Sequence, residues 1–227
     1  MIWIMVKPGV TIVLLIFSLF VIAQTPQTSG STELNLNKPD RVEWYHNLGF
    51  GMLIELSFDI QLGIELSQSM LGASDSYLDR YINELPQTFN PKDFNATEIA
   101  KLAKLAGMKY IILTAKHHSG FCMWDTETTE FNIMETPYGK DLIAEYVDAV
   151  REAGLAVGLY FSPVDYNFLH ENRLPVKQSF NNEIPAYIMT RYQELNELQT
   201  IELMAKYGDI DILFYVGKNS PLTEKCK

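Results

Sequence analysis

Cysteine is nearly absent: Cys122 and Cys226 are the two that occur in 227 residues. A disulfide framework therefore cannot hold the fold. With Cys122 in an apolar stretch and Cys226 next to the last residue, both are expected to be free thiols. Basic residues are in deficit, 18 Lys and Arg against 28 Asp and Glu, for a formal net charge of −10. That balance argues against nucleic acid or an anionic membrane surface as a partner and suits a neutral ligand such as a sugar. No strand-like run is followed by a Gly-rich dinucleotide fingerprint, which argues against a nucleotide-binding doubly wound sheet. Histidine occurs only four times, yet two of the four are adjacent, in "AKHHSGFCMWD".

One uncharged apolar run opens the chain. "VTIVLLIFSLFVIA" follows Lys7 and ends Val21, Ile22, Ala23, the pattern of a secretory signal cleaved after Ala23. The run is shorter than the roughly 20 residues that cross a bilayer. Residues 1–23 are read as a cleaved signal peptide, so the protein is expected to be exported (periplasmic, extracellular or lysosome-like) with no stable membrane insertion afterwards. Residues 24–40 are polar and rich in Pro, Ser and Thr, as a lead-in is.

From residue 41 onward, short apolar runs alternate with helical patterns. Strands are expected at 50–56, 109–115, 155–162 and 210–216, each nearly continuously apolar as in parallel strands buried on both faces. Between them, "NATEIAKLAKLAGM" sets Ile99, Leu102, Ala103 and Ala106 at helical spacing. "GKDLIAEYVDAVREAG" does the same with Leu142, Ile143, Tyr146, Val147 and Val150, and a third helix runs up to Gly208. "NAT" at 95–97 matches a glycosylation sequon, but Asn95 followed three residues later by Glu98 reads better as a helix cap.

The order β, α, β, α, β, α, β calls for a parallel sheet, either doubly wound or a (β/α)8 TIM-type barrel. Polar residues gather just after the strand ends, in "KHHSGFCMWD" and "SPVDYNF", where a barrel builds its site. About the first four β/α units of an α/β barrel are therefore expected in 41–217, with 218–227 as a tail. Four strands leave two open edges, so the chain is expected to be incomplete as a folding unit.

The histidine pair has competing explanations. Adjacent strand residues point to opposite faces, so His117 and His118 could serve two unrelated surroundings. Zinc lacks a third ligand at suitable spacing, and no metal is expected. His46 precedes the first strand and His170 falls on an expected loop near the cleft rim; neither is assigned a role.

The stretch "FNPKDFNATEIAKLAKLAGMKYIILTAKHHSGFCMWDTETTEFNI", continued by "TPYGKDLIAEYVDAVREAGLAVGLYFSP", resembles the secreted α-L-fucosidases of glycoside hydrolase family 29 over roughly residues 41–217. The resemblance implies retaining hydrolysis of terminal α-L-fucosyl linkages without cofactor or metal, with a fucosylated glycan or L-fucose as partner. It implies that His117 and His118 hydrogen-bond the fucose hydroxyls and that Trp124 belongs to the same pocket. Neutral imidazoles can donate to and accept from hydroxyls, and an aromatic face suits the C–H patch of a pyranose.

Three departures from the family stand in the sequence. Retaining glycosidases need two carboxyl groups about 5 Å apart, and the family's nucleophile is the aspartate of a "WFDG"-like motif. Here the motif reads "FYVG", which puts Val216 at that position. Asp211 starts the same strand, roughly 16 Å away at the other end, and Asp165 in "SPVDY" is a weak candidate. Where relatives read "FGMFIHWG", this chain reads "FGMLIELS", so Glu55 replaces a fucose-binding histidine. The general acid/base glutamate lies beyond the nucleophile strand in relatives, and Glu224 in the tail matches no family motif. A non-catalytic or decayed fucose-binding chain is the alternative reading.

Overall fold

The computed structural model describes residues 37–177 and 184–216. The expected signal peptide, most of the lead-in, and the tail with Glu224 and Cys226 lie outside the described residues.

Four strands, β1 (Gly51–Ile54), β2 (Tyr110–Lys116), β3 (Ala156–Phe161) and β4 (Ile212–Tyr215), form one sheet in the order β1-β2-β3-β4. All neighbours are parallel. Because sequence order and spatial order coincide, the described strands have no topological switch point, and a barrel segment is distinguished from a doubly wound sheet. The helices are α1 (Pro39–Leu48), α2 (Asp75–Asn83), α3 (Ala96–Leu105), α4 (Leu142–Glu152), α5 (Tyr166–Glu171) and α6 (Ala186–Lys206). Among the described residues no helix is long and apolar enough to cross a membrane.

The register sorts the strand residues into two faces. Met52, Ile111 and Val157 form one row, and Ile54, Leu113, Leu159 and Leu213 the next; all pack into the main core beneath the helices. The opposite face carries Leu53, Ile112, Gly158 and Ile212, then Thr114, Tyr160 and Phe214. Gly158 is required there: a Cβ would lie 2.5 Å from Ile112 Cγ1. Leu53 and Phe214, at the sheet's two edges, are 45% and 44% exposed on this inner face.

Helix α4 buries Leu142, Ile143, Tyr146, Val147 and Val150, as its spacing predicts. Helix α3 differs from expectation. Its buried stripe is Ala96, Ala100 and Ala103, while Leu102 is 60% exposed and Ala106 also faces solvent. Small side chains let α3 approach its neighbours closely, which displaces the contact face by part of a turn. Asn95 caps α3, its Oδ1 accepting the Glu98 N–H at 3.0 Å.

Helices α1, α2 and α5 are absent from the sequence-based expectation. Helix α1 begins at Pro39, inside the stretch expected to be lead-in, with proline in the first turn where its missing N–H costs nothing. It is tied to the start of β4 by Arg41, whose Nη2 donates to the Asp211 carbonyl at 3.0 Å. His46 lies exposed in its last turn. Asp211 is a strand-start residue, accepting the Val157 N–H on Oδ2 at 2.9 Å.

Candidate functional site

The site begins with an irregularity in β2. Thr114 pairs with Tyr160 and Lys116 with Phe161, so Ala115 is an extra residue with no partner across the ladder. Strict alternation from Thr114 would turn Lys116 inward and His117 outward. The bulge reverses both. Lys116 joins the helix-facing row beside Phe161, with Nζ 4.8 Å from that ring's centroid. His117 turns to the inner face and stacks on Tyr160, ring centroids 5.5 Å apart and planes 13° apart.

The chain then turns, and His118 does not take the opposite face. The two imidazoles lie side by side, centroids 4.3 Å apart. Each is held from behind by a serine: His117 Nδ1 lies 2.8 Å from Ser67 Oγ, and His118 Nδ1 lies 2.6 Å from Ser162 Oγ. Both residues are nearly buried, 6% and 5% exposed. Burial lowers His117 to a pKa of about 4. Burial, then His117 and the Lys116 charge, lower His118 to about 4. Both rings are therefore neutral near pH 7 and serve as hydrogen-bonding groups instead of charges. Glu55 follows β1 and is exposed. Burial, followed by the Glu55 charge, pushes the Tyr160 phenol up to about 12.

The opposite side of the bulge holds a buried cation. Lys116 has no exposed surface, and its ammonium donates to Gln199 Oε1 at 2.7 Å, Asp165 Oδ2 at 3.2 Å and Asn196 Oδ1 at 3.3 Å. Three acceptors for three N–H groups are what a buried ammonium requires. The two amides lie on the buried stripe of α6, with Ile188, Tyr192 and Leu203.

Asp165, the weak catalytic candidate, is 3% exposed and has both oxygens engaged. Oδ1 caps α5 by accepting the Phe168 N–H at 2.8 Å, and Oδ2 takes Lys116. The first N–H groups of α5 in turn hold the histidine turn, Tyr166 N donating to the His118 carbonyl and Asn167 N to the Ser119 carbonyl. The geometry makes Asp165 an anchor and does not support a nucleophile, which needs a free oxygen facing the substrate.

Gly120 belongs to the same arrangement, with φ +91 and a position where a Cβ would lie 2.2 Å from Asp165 Oδ1. Gly120→Ala is expected to cost about 2 kcal/mol or more, from the left-handed backbone and the displaced carboxylate. A urea midpoint equal to wild type would contradict this.

Not every predicted site residue joins the pair. Trp124 is fully buried, and its indole N–H donates to Glu202 Oε2 of α6 at 3.1 Å. Its ring has no exposed surface and does not join the histidine pair: after the turn the chain runs back along β2, Met123 N–H bonding to the Ala115 carbonyl. His170 lies in α5 and not in a loop, with Nε2 2.8 Å from Asp79 Oδ1. Val216 ends the sheet, its N–H donating to the Phe161 carbonyl at 3.0 Å. Cys122 is a buried free thiol, pushed well up by burial. Among the described residues no three His, Cys, Asp or Glu side chains converge on a point where a metal could sit. A cavity of about 650 Å³ lies elsewhere, between the 127–129 segment, α5 and α6, and the histidines do not line it.

The sequence profile of the α-L-fucosidases matches residues 18–223. The chain belongs to the α-L-fucosidase family. It is similar to alpha-L-fucosidase 1 of Arabidopsis thaliana, 37% identical over 135 residues that cover 58% of this chain and 24% of that relative. The α-L-fucosidase isoenzyme 1 from Paenibacillus thiaminolyticus superposes with a TM-score of 0.60 at 30% identity, over 82% of this chain and 45% of that one. AlfC from Lactobacillus casei, an α-L-fucosidase solved in complex with α-L-fucose product, gives 0.64 at 25% identity, over 82% and 63%. This chain spans about a quarter of the length of the Arabidopsis relative. Its four-stranded parallel sheet is part of the TIM barrel that fucosidases of this family use for catalysis.

Sequence reasoning misses four residues of the site: Ser67, Ser162, Tyr160 and Lys116. Ser162 and Tyr160 lie at the end of a recognisable strand, and a lysine closing an otherwise apolar strand is itself a signal that buried acceptors await it. Ser67 has no comparable mark.

Proposed function

We propose that the chain carries the fucose-gripping part of an α-L-fucosidase site, with His117 and His118 bonding the hydroxyls of a terminal α-L-fucosyl residue and Glu55 accepting from a further hydroxyl. One observation carries this reading: two neutral imidazoles lie side by side at the strand ends of a barrel segment, each fixed by a serine. The family's reaction is retaining hydrolysis, in which one carboxylate attacks the anomeric carbon while a second carboxyl group protonates the leaving oxygen. Valine has no lone pair for that attack, so with Val216 at the nucleophile position the chain is expected to bind fucose without cleaving an aryl α-L-fucoside. The same substitution favours the second reading, a fucose-binding chain without hydrolysis. Export through residues 1–23 belongs to the proposal, and amino-terminal sequencing of the secreted product should begin at Gln24.

Calorimetric titration with L-fucose tests the binding. Saturable heat in the wild type, weakened about five- to thirtyfold by His117→Ala, is expected, since one hydrogen bond to a buried site contributes roughly 1–2 kcal/mol. No heat in a folded chain, or equal affinity in the variant, would remove the histidines from the reading. Turnover of the aryl fucoside by the chain as it stands would show that Val216 does not occupy the nucleophile's place.

A further inference from the structure

Ser67 lies in a short turn with φ +64 and ψ −9, the left-handed region that a residue with a Cβ occupies at a cost. Only Ser67 and Arg173 do so among the described non-glycine residues. Such positions persist where the surroundings over-determine them, and they gather at functional sites.

Three bonds hold Ser67. Its N–H donates to Asp59 Oδ2 at 2.6 Å, its Oγ accepts the Ser119 N–H at 2.8 Å, and the same Oγ lies 2.8 Å from His117 Nδ1. Asp59 is fully buried and is itself steadied by the Tyr81 hydroxyl, which donates to the same oxygen at 2.5 Å. A buried carboxylate thus braces the strained turn, and the turn delivers one hydroxyl to the back of the imidazole.

That hydroxyl has one proton and two acceptor positions. Ser119 fills one acceptor position. If His117 carried its proton on Nδ1, the ring would fill the other, and the hydroxyl proton of Ser67, a residue with no exposed surface, would have no acceptor among the described residues. If Nδ1 is unprotonated, the hydroxyl donates to it and every group is satisfied. A buried donor without a partner is the costlier state, so the second arrangement prevails.

We propose that Ser67, braced by Asp59, is a positioning residue that fixes His117 as the Nε2–H tautomer, so that at this point the site takes a ligand oxygen acting as acceptor. The imidazole is then a committed donor toward a hydroxyl or ring oxygen and discriminates against a group that can only donate. Nε2 is free to do this: it has no hydrogen bond among the described residues and is not among their fully buried unpartnered atoms. The same accounting does not fix His118, because the Ser162 proton has a second outlet in the Val164 carbonyl at 3.4 Å.

The ligand's identity as fucose rests on the function proposed above; the tautomer does not. The test is therefore made first without ligand, by long-range 1H–15N correlation of the imidazoles in 15N-labelled chain at pH 7. A pyridine-like Nδ1 and a pyrrole-like Nε2 are expected for His117 in the wild type. In Ser67→Gly, which removes the hydroxyl while relieving the left-handed backbone, the two nitrogens should move to averaged shifts. The thermal midpoint should fall less than in Ser67→Ala, which removes the hydroxyl and keeps the strain. L-fucose affinity should drop about fivefold in Ser67→Gly.

A protonated Nδ1 in the wild type overturns the proposal whatever the variants do. An unchanged His117 signature in a folded Ser67→Gly also overturns it, leaving Ser67 a purely structural residue. Absence of fucose binding with the expected tautomer in place counts against the proposed function and upholds the role of Ser67.

Discussion

Lys116→Met is expected to lower the stability of the chain by about 3–5 kcal/mol, read as a reduced urea midpoint at unchanged slope. The lysine is fully buried and its ammonium meets Asp165, Asn196 and Gln199. Methionine matches its length and removes the charge. What remains is a carboxylate with 3% exposure and no counter-charge, facing two amides whose oxygens have lost their donor. The cost lies in that abandoned carboxylate and not in a lost attraction, so the partner variant reveals it. Asp165→Asn keeps an acceptor for the Phe168 N–H that caps α5 and abolishes the charge. The double variant Lys116→Met/Asp165→Asn should recover about half of the Lys116→Met loss, so that it is less destabilised than the sum of the two single variants by about 2 kcal/mol or more. Strict additivity of the two changes would mean that the pair does not interact as its 3.2 Å separation implies.

Acidification should unfold the protein through the histidine pair. Both imidazoles have pKa values lowered from 6.5 to about 4 in the folded chain, by burial first. Between pH 6.5 and 4 the unfolded chain therefore binds protons that the folded chain refuses. Stability is complete above pH 6.5 and is lost as the pH falls toward 4, where the loss levels off. Each ring contributes on the order of 2–3 kcal/mol to this loss, a large share of the 5–15 kcal/mol that typically separates folded from unfolded domains. Of the neighbouring charges, Lys116 opposes a second positive charge on the pair. Urea midpoints measured from pH 7.5 down to 4 should fall steadily in the wild type and about half as steeply in His118→Gln. A flat profile in the wild type would show that the rings take up protons without leaving their places.

The strands were readable because each is a nearly unbroken apolar run, and α4 because its bulky residues keep strict helical spacing. Helix α3 misled on its face, since alanines make the contact and the leucines face outward; hydrophobic pattern weighs Leu102 above Ala100, while packing distance favours the smaller residue. Helix α5 has six residues, too few to show a period. Helix α2 could have been found from Ser74 as its cap and the buried Leu78 and Tyr81 a turn apart. At the site, adjacency marked the histidines, but the direction of Trp124 was not legible because the chain turns irregularly between the two. Ser67 lies 50 residues from the ring it supports, and its importance resides in a backbone angle and a proton count that composition does not record.

The unpaired Ala115 makes chain length, more than side-chain chemistry, the sensitive variable of β2. Substitutions along the strand alter one contact at a time. Removing Ala115 would leave Lys116 beside Phe161 and His117 on the inner face by plain alternation, whereas one further residue added between Thr114 and Lys116, if the ladder absorbed no second bulge, would exchange the environments of a buried cation and a neutral ring in one step. Tolerance in this segment should accordingly be asymmetric: loss of the bulged residue preserves both faces, whereas a one-codon insertion swaps the inside of the barrel wall for its outside.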